Sequence, residues 1–468
     1  MRQTKIIATV GPSCSSSEHL QQLVEAGVSV FRLNFSHGDH SSHGRTINRI
    51  RALSKKMKRE FPIILDTKGP EIRTADLRKP VRWQKGETVT LTVEHAPYEQ
   101  SGKIQVNYDD FLNDVAVGDK ILVDNGTLKI EVLKIDDPDV SCRVLSGGTL
   151  GPRRHLNLPG KSISLDSITE ADWKDIEFGI KKGVDFVALS FVRCAEDIER
   201  VKAFLAEKKA PIDVIAKIET QSAIDDIAAI VESAHQVMVA RGDLGIETSF
   251  ARVPQLQRDI VKACAEHQTP VIIATHMLES MVEHPTPTRA EVSDVSVAAF
   301  QRADATMLSG ETAIGAHPIA AVEYMAEIIC ETEKNFLASR EIRKLKAVSD
   351  QAGLSKIAAQ LPDELENLAA ILVVTGSGST AQLVSCFRPR VPIFSCTDDV
   401  HIQRKTQLLW GVEPLRISFS SDPEKTIAAA RKALLQRMPE FRGEKVALVS
   451  GSQLTKGEMA PTVQIRQV

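Results

Sequence analysis

Eight short apolar runs punctuate the chain as far as residue 313: KIIATV, VFRLNFS, PIILDT, FVALSF, VIAKIE, VMVARGD, VIIATHM and ATMLSGE. Between them lie segments such as SEHLQQLVEAG, with apolar residues at i, i+3 and i+4 and a closing glycine, the period of an amphipathic helix. Near-continuous apolar runs suit strands covered on both faces. Eight β-then-α units predict a parallel (β/α)8 TIM barrel rather than a doubly wound sheet.

Spacing locates an insertion. With run ends at Val10, Ser36, Thr67, Phe191, Glu219, Asp243, Met277 and Glu311, six of the seven intervals lie between 24 (243 − 219) and 34 (277 − 243), while one is 191 − 67 = 124. Removing one unit of about 30 residues leaves about 90 for an inserted domain. That stretch alternates apolar and polar residues in VTLTV, KIQV, KILVDNGTLKIEVLKI and CRVL, with turns at Lys85-Gly86, Asn125-Gly126 and Gly147-Gly148. It predicts a small all-β barrel on a catalytic-face loop, placed to act as a lid. After the helical HPIAAVEYMAEIICETEKNF and the polar SREIRKLKAVSDQAG, a second α/β pattern starts at AAILVVTGSGSTAQLVSCF and continues through VPIFSCT, VEPLRI and VALVSG. The predicted plan is a discontinuous catalytic barrel over 1–69 and 156–340, a lid over 70–155, and a three-layer α/β domain over 341–468.

Composition narrows the class. A 468-residue chain with 43% hydrophobic and 25% charged residues is that of a multidomain globular protein. A net charge of −3 gives no reason to expect nucleic acid or an anionic membrane as partner. No apolar run nears the roughly 20 residues of a spanning helix. MRQTKIIATVGP lacks the long apolar region of a signal peptide. Seven scattered cysteines without CxxC read as reduced thiols, so a cytoplasmic setting is expected.

The strand ends carry the chemistry, as a barrel of this type requires. Arg32, Asn34 and Ser36 alternate onto one face, with His37 following. Lys217 and Glu219 share a face two residues apart, and Asp243 closes the next run. The third run ends in Asp66-Thr67-Lys68-Gly69-Pro70-Glu71-Ile72-Arg73, the seventh in Thr275-His276, and the eighth in Ser309-Gly310-Glu311-Thr312. Singly, each has a bland reading: Lys-x-Glu is usually a structural ion pair, RGD usually a turn, and Asn34 and Ser36 usually core hydrogen-bonders. Jointly, Arg32, Arg73, Lys217, Glu219 and Asp243 are expected to converge in one cleft, where desolvated charges are costly unless paired with ions or substrate. Two carboxylates suit Mg2+ with open positions. The arginines suit phosphate oxygens, and Lys217 suits charge on a phosphoryl group in transfer. Asn34, Ser36, Asp66 and Thr67 suit a monovalent cation. Neither a Walker loop nor a protein-kinase signature set is present.

FRLNFSHG (31–38), LDTKGPEIRT (65–74), AKIE (216–219), MVARGDLG (238–245), ATHMLESM (274–281), PTRAEVSDV (287–295) and MLSGETA (307–313) together resemble pyruvate kinase of the bacterial type, and the resemblance runs from Thr4 to Val468. It implies phosphoryl transfer from phosphoenolpyruvate to ADP, giving ATP and pyruvate. It assigns Mg2+ (or Mn2+) to Glu219 and Asp243, and K+ to Asn34, Ser36, Asp66 and Thr67. It places Lys217 on the phosphoryl group and the enolate. The amides of Gly242 and Asp243, with Thr275, take the substrate carboxylate, and Thr275 with Ser309 falls on the proton path. Arg32, Asn34, His37 and Arg73 match nucleotide- and substrate-phosphate contacts. Glu71 resembles the K+-dependent members. The resemblance also implies a homotetramer with effector coupling.

There are departures. His276 stands where the family usually has Gln, Ala171 replaces a usual Lys, and RRHLNLPG replaces KGVNLPG at the lid's return. Gly376-x-Gly378-x-x-Ala381, with Asp398 22 residues past Gly376, is a weak dinucleotide fingerprint. The same amides and hydroxyls bind any phosphate. Thr375, Ser377, Gly378, Ser379 and Thr380 resemble the family's sugar-phosphate cradle, although the last loop, SGSQLTKGEMAPT, lacks an effector-loop arginine. The effector is therefore left as a sugar phosphate or a nucleotide. Two other functions stay open on the residues: a different Mg2+-dependent barrel enzyme acting on pyruvate or phosphoenolpyruvate, and a non-catalytic metabolite sensor.

Overall fold

The computed structural model describes residues 2–95, 97–161, 163–334, 345–455 and 458–468. Strands Lys5–Thr9, Val30–Asn34, Ile63–Asp66, Phe186–Leu189, Asp213–Ile218, Gln236–Ala240, Val271–Ala274 and Ala305–Leu308 form a closed parallel barrel, the first strand pairing with both the eighth and the second. Alternation divides each strand between two cores. Ile7, Val30, Ile64, Ile215, Met238, Ile272 and Met307 fill the interior. Ile6, Phe31, Leu65, Val214, Val239 and Ile273 face the surrounding helices. Those helices start where their caps dictate. Thr169 with Asp172, and Thr288 with Glu291, form reciprocal capping boxes ahead of Glu170–Lys182 and Arg289–Phe300.

The strands stop earlier than their apolar runs suggest. VMVARGD is strand only to Ala240. Arg241–Leu244 is a helical turn that widens into a π-helical segment over Gly245–Ser249. Asp243 therefore sits on a turn beyond the sixth strand and not on its end, because an apolar run followed by Arg-Gly-Asp carries no period that marks where pairing ceases.

The insert is a seven-stranded sheet in the order Ile72–Arg73, His155–Asn157, Lys120–Val123, Leu128–Asp136, Asp139–Ser146, Thr88–Thr92 and Ile104–Gln105. Its two edges meet through a bridge between Thr74 and Val106, with Asn107 N donating to Arg73 O at 3.0 Å and Ala75 N to Gln105 O at 2.8 Å, which closes it. Leu91, Phe111, Ile121 and Ile130 fill its interior.

A boundary at 340/341 lies outside the described residues. Beyond it, the polar segment ends in a helix, Asp350–Glu364, whose start is set by Ser349 accepting from Ala352 N. Strands Val412–Arg416, Ile393–Thr397, Leu368–Val374 and Lys445–Thr455 run parallel, and Glu458–Gln467 pairs antiparallel at the edge. Most of SGSQLTKGEMAPT is thus paired backbone rather than loop; Lys456 and Gly457 lie outside the described residues. Ile371 and Val373 face one helical layer and Leu372 and Phe394 the other, so the domain has three layers. It docks on the barrel's N-terminal end: Arg388 pairs with Asp304 at 2.8 Å, and Lys5 Nζ donates to Val412 O at 2.6 Å. Among the described residues no helix is long and apolar enough to cross a membrane. All seven cysteines are unpaired.

Candidate active site

Register assembles the site. Asn34 pairs with Asp66 across the second and third strands, so their side chains leave the sheet together at its C-terminal end. Arg32, two residues earlier on the same face, places Nε 2.6 Å from Asp66 Oδ2 and Nη1 3.0 Å from Thr9 Oγ1. Lys217, on the fifth strand, places Nζ 3.0 Å from Asp66 Oδ1, 3.0 Å from Glu219 Oε1 and 2.6 Å from Ser190 Oγ. Glu219 Oε2 accepts from Phe191 N at 2.7 Å. Arg32, Asp66, Lys217 and Glu219 are all buried. Four charged side chains thus form one enclosed chain from the second strand to the fifth.

The charges do not balance. When ionised, Asp66, Glu219, Asp243 and Glu247 face the cations Arg32 and Lys217. Burial alone would push Asp66 up, but Arg32 and Lys217 outweigh it and hold it below the usual carboxylate range. Burial would push the Lys217 ammonium down, yet Asp66 and Glu219 raise it, so it stays charged. Burial pushes Glu219 up to about 7; Lys217 pulls it back and Asp243 adds to the rise. Asp243 and Glu247 are raised as well, chiefly by burial. Glu219 Oε1 touches the Lys217 ammonium but has no aligned hydrogen-bond donor. A buried carboxylate whose Oε1 lacks an aligned donor, beside a second carboxylate in a site short of positive charge, fits a divalent cation. Among the described residues no three or more His, Cys, Asp or Glu side chains are grouped closely enough to hold a metal ion by themselves.

The other expected residues fall around this core. Asn34 Oδ1 accepts from Ser36 N at 3.1 Å, and Thr67 Oγ1 accepts from Ser190 N at 3.1 Å, so the four candidate monovalent-cation ligands share the ends of two adjacent strands. His37 is exposed at the mouth. Gly242 N donates to Thr275 Oγ1 at 2.8 Å. Ser309 Oγ is buried without a hydrogen-bond partner. Arg73 sits on the lid's first strand, where it forks onto Glu71 at 2.7 and 2.9 Å and donates to Arg153 O at 2.8 Å. Glu71 also pairs with Lys68. Arg73 thus belongs to a lid cluster, and its strand neighbour His155 packs edge-on against Phe191, whose amide donates to Glu219. In the third domain, Gly378 N donates to Thr375 Oγ1 at 2.9 Å, the Ser377 and Ser379 hydroxyls lie 2.9 Å apart, and Gln351 donates to Thr380 Oγ1 at 2.8 Å.

Sequence reasoning missed several contributors. Thr9 ends the first strand and Ser190 directly follows the fourth, and the same alternation that picked Lys217 and Glu219 would have reached them. Asn157 Nδ2 donates to Glu247 Oε1 at 2.6 Å, tying the lid's return strand to the π-helical segment that follows the turn bearing Asp243. Asp172 Oδ1 accepts from Lys68 N at 3.1 Å and Gly69 N at 3.0 Å, anchoring the segment that leads out to the lid. No local signal marks those two contacts.

Residues 1–322 match the family model described as the pyruvate kinase barrel domain, and residues 353–465 match that of the pyruvate kinase alpha/beta domain. Pyruvate kinase isozyme G, chloroplastic, of Nicotiana tabacum is 42% identical over 472 residues, covering 100% of this chain and 84% of its own length. The pyruvate kinase of Geobacillus stearothermophilus is 39% identical over 459 residues, 96% of this chain and 78% of its own. A crystal structure of a pyruvate kinase from Cryptosporidium parvum superposes with a TM-score of 0.92 at 33% identity, covering 99% of this chain and 96% of that one.

Proposed function

The chain belongs to the pyruvate kinase family and is a phosphotransferase, and we propose that it moves the phosphoryl group of phosphoenolpyruvate to ADP with Mg2+ and K+ as cofactors. The carrying observation is the buried Arg32–Asp66–Lys217–Glu219 chain with Asp243 beside it. The P–O bond to the enol oxygen breaks, a P–O bond to the ADP β-phosphate forms, and the enolate left behind takes a proton on carbon to become pyruvate. Lys217, held charged by two carboxylates, neutralises the phosphoryl oxygens and then the enolate oxygen. Arg32, fixed by Asp66 and Thr9, orients substrate phosphate as a preset fork. Gly242, Asp243 and Thr275 hold the carboxylate, and Thr275 with Ser309 lies on the proton's route to the enolate carbon. Asn34, His37 and Arg73 contact nucleotide phosphates, Arg73 after the lid brings it over the cleft. Glu219 and Asp243 would hold the divalent cation, which when bound supplies charge neutralisation on phosphoryl and enolate oxygens. Asn34, Ser36, Asp66 and Thr67 would hold K+.

The same reading takes the barrel as 1–69 with 156–340, the lid as 70–155 and a regulatory domain as 341–468. Thr375, Ser377, Gly378, Ser379 and Thr380 cradle the phosphate of an effector in a cytoplasmic homotetramer. A coupled assay of pyruvate formation from phosphoenolpyruvate and ADP tests the proposal. Activity is expected only with both substrates and Mg2+, to fall sharply without K+ and NH4+, and to respond to one member of a panel of sugar phosphates and AMP. Full activity in K+- and NH4+-free buffer would remove the K+ site, and no ADP-dependent pyruvate would remove the reaction.

A further inference from the structure

Of the Arg241-Gly242-Asp243 motif, the proposed function uses only the last two residues. Arg241 is nonetheless buried, and its guanidinium is engaged on every nitrogen. Nε and Nη2 donate to Thr275 O at 3.2 and 2.7 Å, Nη2 also donates to His276 O at 3.1 Å, and Nη1 donates to Asp294 Oδ1 at 2.7 Å and Gln257 Oε1 at 3.3 Å. The backbone it grips is strained. Thr275 has φ 67 and His276 φ 53, two consecutive left-handed residues that are not glycine, one of them β-branched. Such a pair persists only where its surroundings over-determine it. This turn presents the Thr275 hydroxyl to Gly242 N at 2.8 Å while that hydroxyl donates to Ala274 O at 2.7 Å. The fit is close, since a Cβ on Gly242 would lie 3.3 Å from His276 Cε1 and 3.6 Å from Thr275 Oγ1.

We propose that Arg241 is a positioning residue for the phosphoenolpyruvate half of the reaction, holding the left-handed Thr275–His276 turn so that the Thr275 hydroxyl and the Gly242 amide, here bonded to each other, lie together where the substrate carboxylate docks and exchanges those bonds for its own. The inference rests on the reading that Thr275 and Gly242 receive that carboxylate. A planar fork anchored on Asp294 reaches two successive carbonyls at once. A lysine supplies a point charge and cannot span them. The alternative is that Arg241 merely braces the helical turn after the sixth strand through Asp294.

The test compares Arg241→Lys with the parent in thermal melts and in separate titrations of phosphoenolpyruvate and ADP. A misplaced carboxylate site is expected to lower kcat/KM for phosphoenolpyruvate on the order of 10²-fold, with KM for ADP within about twofold. A merely bracing arginine shifts the melt and either spares both substrates or impairs them equally, and that result overturns the proposal. His276→Gly, which removes the cost of the left-handed φ at 276, is expected to recover several-fold of the loss when added to Arg241→Lys; purely additive effects count against it. Should Arg241→Lys not fold, Asp294→Asn loosens the same guanidinium, and a loss confined to phosphoenolpyruvate supports the proposal while unchanged kinetics overturn it. Thr275→Val separates the two levels. If it leaves phosphoenolpyruvate kinetics intact, the site reading fails and this inference with it. An impaired Thr275→Val beside an unimpaired Arg241→Lys overturns this inference alone.

Discussion

Lys5 and Lys217 are both buried on strands of one barrel, and burial has opposite outcomes for them. Lys217 faces Asp66 and Glu219, whose attraction outweighs desolvation. Lys5 has one carbonyl, Val412 O, and only the more distant Glu413 and Glu333 against Arg2 and Arg59. Burial therefore wins and lowers its pKa to about 8 from 10.5. The sign of the linkage follows. Between pH 8 and 10.5 the unfolded chain holds the proton that the folded chain has released, so Lys5 makes stability rise with pH in that window. The expected gain is of order 1–3 kcal/mol. It is read as a rise in urea midpoint from pH 7.5 to 10 that Lys5→Met abolishes; an equal rise in the variant would assign it to another group. Residues of this kind also mark the limit of legibility. Lys217 and Glu219 stood out because charge on a buried strand is rare. Ser190 and Thr9, which hold Lys217 and Arg32 in place, lie within reach of the same alternation but did not stand out, because a hydroxyl at a strand end looks like any satisfied core hydroxyl.

Elements were legible by period and obscure at their ends. The eight-fold alternation of apolar run and amphipathic helix defines a barrel, and one long interval defines the lid. What the period cannot mark is where a run leaves the sheet, which is why Asp243 lies on a turn, or how a lid is tethered. Its outgoing tether passes through Gly69, with φ +70, and is gripped by Asp172. A Cβ at Gly69 would stand 2.9 Å from Ser190 Cβ and 3.0 Å from Phe191 Cδ2. Ser190 Oγ accepts from Lys217 Nζ at 2.6 Å, so the clash lands on the residue that sets the ammonium. Gly69→Ala is expected to destabilise by about 1–2 kcal/mol from its left-handed φ alone. It should also lower kcat by roughly tenfold or more by displacing Lys217. Melts and steady-state rates check both parts. A variant that loses stability but keeps kcat would show that Ser190 yields without moving Lys217.

At the scale of the molecule, the C-terminal domain is part of the barrel's own core. Leu408 is fully buried and belongs to the interior cluster with Ile7, Ile215 and Met307. Trp410, two residues on, donates its amide to Asp304 Oδ1 at 3.2 Å and lies 5.3 Å beneath the Arg388 guanidinium. Nothing in the helical stretch around 408 announced this, since a leucine between two domains reads like a leucine inside one. The plug seals the end of the barrel opposite the site, and a core shared in this way couples the unfolding of the two domains. Leu408→Ala leaves a cavity in the barrel interior and is expected to cost about 2–5 kcal/mol. The three tryptophans make the test direct, because Trp83 lies in the lid, Trp173 on a barrel helix and Trp410 at the interface. With Trp83 and Trp173 replaced by Phe, fluorescence follows Trp410 alone while far-UV dichroism follows the whole chain. In that background the two urea transitions are expected to coincide, and Leu408→Ala to move the Trp410 transition below the dichroism transition. If both transitions stay together at the parental midpoint, the domains are held by Arg388–Asp304 and its neighbours, and Leu408 only fills space.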